Sequence, residues 1–170
     1  MPVPGEFVVR EARAEDAPGI AQISRDNGRY YASLEPELFR RPDEEGLVEL
    51  VAGDAEWREC PANLALVAEI DGEVAGYLEA SVQEPLETAR WQTQRDLGQI
   101  RLFISFVGTA DQFKRSGVAT QLVEAGEAWG REKGAVVSVC DTWLGSPVSI
   151  PFWEQRMGYA RQSVILRKRL

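Results

Sequence analysis

The chain has 170 residues, 44% of them hydrophobic, with 19 Lys and Arg against 27 Asp and Glu, no histidine, and a formal net charge of -8. That length suits one globular domain over residues 1–170 with a single sizeable core, the acidic balance argues against general nucleic-acid binding, and the missing histidine removes His-based triads and makes zinc or another metal unexpected. No run approaches the roughly 18 to 20 apolar residues of a membrane span, and Met1 to Arg10 lacks the basic start and long apolar stretch of a secretory signal, so the expectation is a soluble cytoplasmic protein with no membrane partner.

In chain order, "FVVREA" reads as a first strand. It is followed by "AEDAPGIAQISRDNGRYY", where Ile20, Ile23 and Tyr30 or Tyr31 recur at helical spacing and Glu15 and Asp16 lie in the first turn. A second helix is expected in "PDEEGLVELVAG". The period then changes: "LALVAEI" and "EVAGYLEASV" flank Asp71-Gly72, a strong local hairpin signal. A polar connection with helical character surrounds Trp91, and "QIRLFISFV" reads as a buried strand. From Gly117 to Gly134 the pattern is helical, with Val118, Leu122, Ala125 and Trp129 as the apolar stripe and Gly134 as the stop. "AVVSVCD" is a strand, "SIPFWEQRMG" a short helix stopped by Gly158, and "ARQSVILRKRL" a closing strand. Cys60 and Cys140 lie far apart without CxxC spacing, and both are expected to be reduced and buried. The order β-α-α-β-β-β-α-β-α-β implies an α/β fold with a mixed sheet and helices on its faces.

The stretch "DQFKRSGVATQLVEAGEAWG" puts Lys114 and Arg115 beside a glycine that opens a helix. The first turn of a helix offers backbone N–H groups without internal partners and a partial positive charge, and Gly117 and Ala119 let a ligand approach the backbone, so a pyrophosphate fits. The spacing is neither that of an ATP-binding loop, GxxxxGK followed by Ser or Thr, nor the dinucleotide GxGxxG. An ordinary helix start with solvated cations is the alternative reading of the same residues.

The run "ISFVGTADQFKRSGVATQLVEAGEAWGREKG" resembles the acetyl-CoA-binding core of the GNAT superfamily of N-acetyltransferases. The family signature there is Gln or Arg, two residues, Gly, one residue, then Gly or Ala at a strand-to-helix junction; here it reads Lys114-Arg115-Ser116-Gly117-Val118-Ala119, with Lys at the first position. "VVREARAEDAPGIAQI" resembles the family's first strand and helix, and "PFWEQRMGYARQS" its late "lYeklGF" segment. The resemblance implies a single GNAT-like sheet splayed between the fourth and fifth strands. It also implies acetyl-CoA as cosubstrate, with the backbone of Val107 and Thr109 on its pantetheine arm and Lys114, Arg115, Ser116, Gly117, Val118, Ala119 and Thr120 around its pyrophosphate. Val107 is equally a core strand residue, and the Arg115 side chain equally a solvated cation.

The implied reaction moves an acetyl group from acetyl-CoA to a primary amine of a small molecule or peptide. Such a site must accept the amine's proton, steady the developing oxyanion and let the thiolate leave. The strand that carries a glutamate base in many relatives reads "RLFISF" here, without a carboxylate, and the tyrosine of "lYeklGF" is replaced by Trp153, assigned to packing and pocket shape beside the cofactor. Glu79 and Asp141 are the substitute candidates for the base, against their ordinary readings as a solvent-facing strand residue and a turn residue. Tyr30, Tyr31, Trp91 and Trp143 are candidates for the acceptor pocket or are core aromatics, and Cys140 for an acyl carrier or a buried thiol. A non-catalytic acyl-CoA-binding or sensing domain of the same fold is the alternative function, and a homodimer is compatible with either. The acceptor and the acyl chain length stay open.

Overall fold

The computed structural model describes residues 7–53 and 55–170. They fall into two compact units, one running as far as Cys140 and the other from Asp141 to Leu170.

In the first unit, strand β1 (Val8–Glu11) leads through a 3-10 turn (Ala14–Asp16) into helix α1 (Ala17–Leu34). Two short helices follow, α2 (Leu47–Gly53) and α3 (Ala55–Glu59), so the second predicted helix is confined to the end of its segment, after Gly46 at φ 76. Strands β2 (Asn63–Ile70) and β3 (Glu73–Gln83) form the expected hairpin. Asp71 at φ 51 and Gly72 at φ 81 give the turn two consecutive left-handed residues, whose twist matches that of paired strands. The connection around Trp91 consists of two 3-10 turns, Ala89–Trp91 and Arg95–Gly98. Then come β4 (Arg101–Thr109), helix α4 (Val118–Glu132) and β5 (Val137–Cys140). Among the described residues the sheet has five strands in the order β1-β2-β3-β4-β5, antiparallel except for the β4–β5 pair, which is parallel.

Helices cover both sheet faces, and β2 is accordingly buried along almost its whole length. On one face, Ile20 and Ile23 of α1 join Ala65, Val67, Tyr77 and Ala110 in a buried cluster flanked by Trp57, Phe106 and Phe113. On the other face lies α4. Its buried side is Val118, Leu122, Val123, Gly126 and Gly130, not the expected stripe through Ala125 and Trp129, which are only half-buried. The cause is close approach: a Cβ on Gly126 would stand 3.3 Å from Leu78 Cδ2, and one on Gly130 3.1 Å from Leu102 Cδ2, so the glycines let the helix backbone settle onto the sheet.

The second unit contains a short helix α5 (Ser149–Pro151) running into a π-helical turn (Phe152–Arg156), where Met157 N donates to Phe152 O at 3.0 Å, and Gly158 at φ 76 ends it. Residues 160–170 form no strand, contrary to the expected closing strand. Val164, Ile165 and Leu166 are exposed, so strand propensity there meets no ladder. The burial expected of the cysteines is not found: Cys60 is exposed in the turn before β2 and Cys140 is half-buried.

Candidate active site

Strand β4 changes character half-way along. Its pairing with β5 covers Arg101 to Ile104 only, while on the other side β3 accompanies it to Thr109. At the same level the β3–β4 register slips: Ile104 faces Ala80 and Phe106 faces Glu79, leaving Ser105 as the extra, exposed residue of a bulge. A bulge adds twist and turns one strand away from its neighbour. From Ser105 to Thr109, β4 therefore has a partner strand on one edge and none on the other among the described residues. Val107 and Thr109 lie on this segment, half-buried, opposite Leu78 and Gly76.

The open segment runs directly into the loop before α4. Ala110 N donates to Ala75 O at 3.0 Å, a 3-10 turn covers Asp111–Phe113, and the backbone then enters left-handed conformations at Arg115, φ 66, and Gly117, φ 90. A non-glycine residue at positive φ stores strain of a kind that concentrates at ligand sites, and such turns point successive N–H groups into one concavity. No side chain caps α4. Its first internal hydrogen bond runs from Gln121 N to Gly117 O at 3.1 Å, so the N–H groups of Val118 and Ala119 precede the helical ladder. A Cβ on Gly117 would meet nothing within 4 Å; the glycine is required by φ and not by crowding from the protein.

The two cations differ. Both are exposed, but Lys114 forms a close ion pair with Asp111 and stands over the Tyr30 ring, 5.2 Å from its centroid. The hydrogen bond from Lys114, supported by one from Arg29, holds the Asp111 carboxyl below the usual aspartate range. Asp111 is thereby tied to α1, where Asp26 receives both Arg29 and the Asp111 backbone N–H. Sequence reading singled out none of Asp26, Arg29 and Asp111. The available signal was the polar line Gln22, Asp26 and Arg29 at helical spacing in α1.

Glu79 is half-buried on the α1 face of β3, and its Oε1 accepts a hydrogen bond from the Tyr77 hydroxyl at 2.7 Å, which fixes the carboxylate opposite Phe106 at the bulge. The bulged Ser105 hydroxyl donates to the Glu79 backbone carbonyl at 3.3 Å. Asp141 is exposed at the start of the second unit. In that unit Trp153 is buried and packs edge-on against Phe152, at 5.1 Å, and Tyr159, at 4.8 Å. Of the acceptor-pocket candidates, Tyr30 and Tyr31 pack against each other at 5.3 Å, and Trp91 is 67% exposed beneath the Arg90 guanidinium. Among the described residues, no group of three or more His, Cys, Asp or Glu is placed to hold a metal ion.

Residues 28–159 match the Acetyltransferase (GNAT) family model. No curated protein sequence matches the chain. Among solved structures, a transcriptional regulator from Bacillus halodurans C-125 is 23% identical over 97% of this chain and 100% of its own, with a TM-score of 0.74. An acetyltransferase from Trypanosoma brucei is 18% identical over 97% and 100%, with a TM-score of 0.67. The aminoglycoside N-acetyltransferase AAC(6')-Iy in complex with CoA is 18% identical over 100% of this chain and 98% of its own, also with a TM-score of 0.67. At these identities the structures establish the fold, and the family match spans most of the sequence: the chain belongs to the GNAT family of acetyltransferases.

Proposed function

We propose that the chain is an acetyl-CoA-dependent N-acetyltransferase acting on a primary amine of a small molecule or peptide, with residues 1–170 working as one cytoplasmic catalytic domain. One observation carries the reading: the open edge of β4 continues without a break into the strained loop and the uncapped start of α4. An extended donor arm can pair with the backbone at Val107 and Thr109, and its pyrophosphate can take N–H groups within the stretch Lys114 to Thr120, where those of Lys114 and Ser116 reach Asp111 O and Phe113 O only at 3.4 Å. Acetyl-CoA supplies an activated acyl carbon and a thiolate leaving group. The chain's part is to align the amine and manage its proton. Glu79, held by Tyr77, accepts that proton as the N–C bond forms and the C–S bond breaks, and passes it to solvent. Asp141 is the second candidate for this role. Trp153 shapes packing, since an indole N–H is a poor acid, and the thiolate leaves without a protein proton donor.

Two aminoglycoside acetyltransferases among the structural neighbours and the acidic charge of this chain favour a polycationic amine. The second reading, a non-catalytic acyl-CoA sensor, draws on the regulator among the neighbours and on the absence of a carboxylate from Arg101–Thr109. Acetyl-CoA binding by calorimetry, followed by CoA release across aminoglycosides, polyamines and peptide amines, separates the two. Turnover with any amine supports the enzyme; binding with no turnover across the panel supports the sensor; no binding rejects both.

A further inference from the structure

We propose that Asp26, in the middle of α1, is a positioning residue for the donor-binding loop, acting through Arg29 and Asp111; the proposal rests on the reading of residues 114–120 as the pyrophosphate site. Asp26 is only 5% exposed. A carboxylate taken this far out of water needs hydrogen-bond donors on its oxygens, and here both oxygens have them. Oδ1 accepts from Gln22 Nε2 at 2.9 Å and from Arg29 Nη2 at 2.8 Å, and Oδ2 accepts from the backbone N of Asp111 at 3.1 Å, 85 residues further along the chain.

That last bond fixes the point where β4 ends and the loop begins. Arg29 Nη2 reaches the Asp111 side chain as well, at 2.6 Å, and Asp111 in turn holds Lys114. Backbone and side chain of one loop residue are thus both tied to α1, directly by Asp26 and indirectly by Arg29. Three residues beyond Lys114 comes Gly117, and the intervening Arg115 is kept at positive φ. A loop free to relax would lose that conformation and would have to regain it on binding, and ordering a segment at the moment of association weakens affinity. The helix α1 is itself anchored by Ile20 and Ile23 in the core, so it provides a fixed support. Asp26 touches neither the acceptor nor the reacting acyl group in this scheme. Its effect is confined to the pyrophosphate end of the donor.

The same confinement supplies the test. CoA carries the pyrophosphate and pantetheine does not, so their binding to the parent, Asp26→Asn and Arg29→Gln proteins is compared, by calorimetry for CoA and saturation-transfer NMR for pantetheine. Arg29 is half exposed, so its variant keeps the test available if the buried Asp26 substitution does not fold. In both variants the CoA dissociation constant rises by roughly threefold to tenfold while pantetheine binding is unchanged, the scale expected for ordering one or two side chains on association. With an acceptor in hand, KM for acetyl-CoA rises by the same factor and kcat at saturation is retained. Unchanged CoA affinity in a folded variant, or a parallel loss of CoA and pantetheine, overturns the positioning role. Failure of the parent to bind CoA at all would instead reject the pyrophosphate site itself.

Discussion

Gly117 and Glu79 carry the residue-scale consequences. Because a Cβ on Gly117 meets open space, replacing it acts through φ and through the surface left for the donor phosphates. Gly117→Ala is expected to cost about 1–2 kcal/mol of stability for a side chain in the left-handed region, and Gly117→Asn less. Both proteins stay folded, and both bind CoA more weakly than the parent by calorimetry; unchanged affinity would detach the loop from the donor. For Glu79, Gln substitution should lower kcat/KM by about 10²-fold, the usual scale for a positioned base. An unaltered kcat/KM would show that the enzyme draws the neutral amine from solution, and would move attention to Asp141. The donor loop was legible in sequence because glycine, small residues and cations sit contiguously. The Asp26–Arg29–Asp111 support was not: Asp111 lies 85 residues from Asp26, and only the folding of α1 against the end of β4 makes the three one network.

At the scale of elements, helix α4 shows why periodicity located the helix yet misjudged its buried side. Hydrophobicity points to Ala125 and Trp129, but close packing rewards the smallest side chains, and Gly126 and Gly130 face Leu78 and Leu102. The two glycines should respond differently to alanine. Each gains about 1 kcal/mol of helix propensity. At Gly126 the nearest atoms are the two Leu78 methyl groups, at 3.3 and 3.5 Å, which a small rotation can relieve. At Gly130 the added carbon meets Leu102 Cβ at 3.2 Å as well as both methyl groups, and a Cβ cannot move without its backbone. Urea unfolding should therefore find Gly126→Ala neutral or stabilised and Gly130→Ala destabilised, by about 1–2 kcal/mol once overpacking exceeds propensity. Equal gains at both sites would mean that the helix rides further from the sheet. The closing segment fails for a related reason. "SVILRKRL" has local strand character, but strand formation depends on a partner, and residues 160–170 have none in a ladder among the described residues.

For the molecule as a whole, the arrangement of charge matters more than its sum. Arg10 on β1 gathers two carboxylates from different elements: Asp16, before α1, through bonds of 2.7 and 2.8 Å, and Glu69 of β2 through bonds of 3.0 and 2.8 Å. Asp16 also accepts the Arg13 backbone N–H at 2.7 Å and is itself buried. The Arg10 hydrogen bond holds the Asp16 carboxyl below its ordinary range, against the opposing effect of burial. A carboxyl depressed in the folded state stabilises the fold above its unfolded pKa, and that contribution is lost as pH falls through the folded value. Stability should thus be flat from neutrality down to about pH 5 and fall below about pH 4, where the unfolded aspartate takes its proton before the folded one does. Asp111 shifts in the same direction and adds to the same limb, although its exposure makes its share small. Replacing Asp16 by Asn keeps the shape but removes the charge, so Glu69 is left as the one carboxylate paired with Arg10 among the described residues. Urea midpoints measured across pH should show Asp16→Asn less stable by about 2 kcal/mol at neutrality, the scale of a charged hydrogen bond, with the gap to the parent closing toward pH 3. A gap that stays constant over that range would mean that Asp16 contributes through packing and not through its charge.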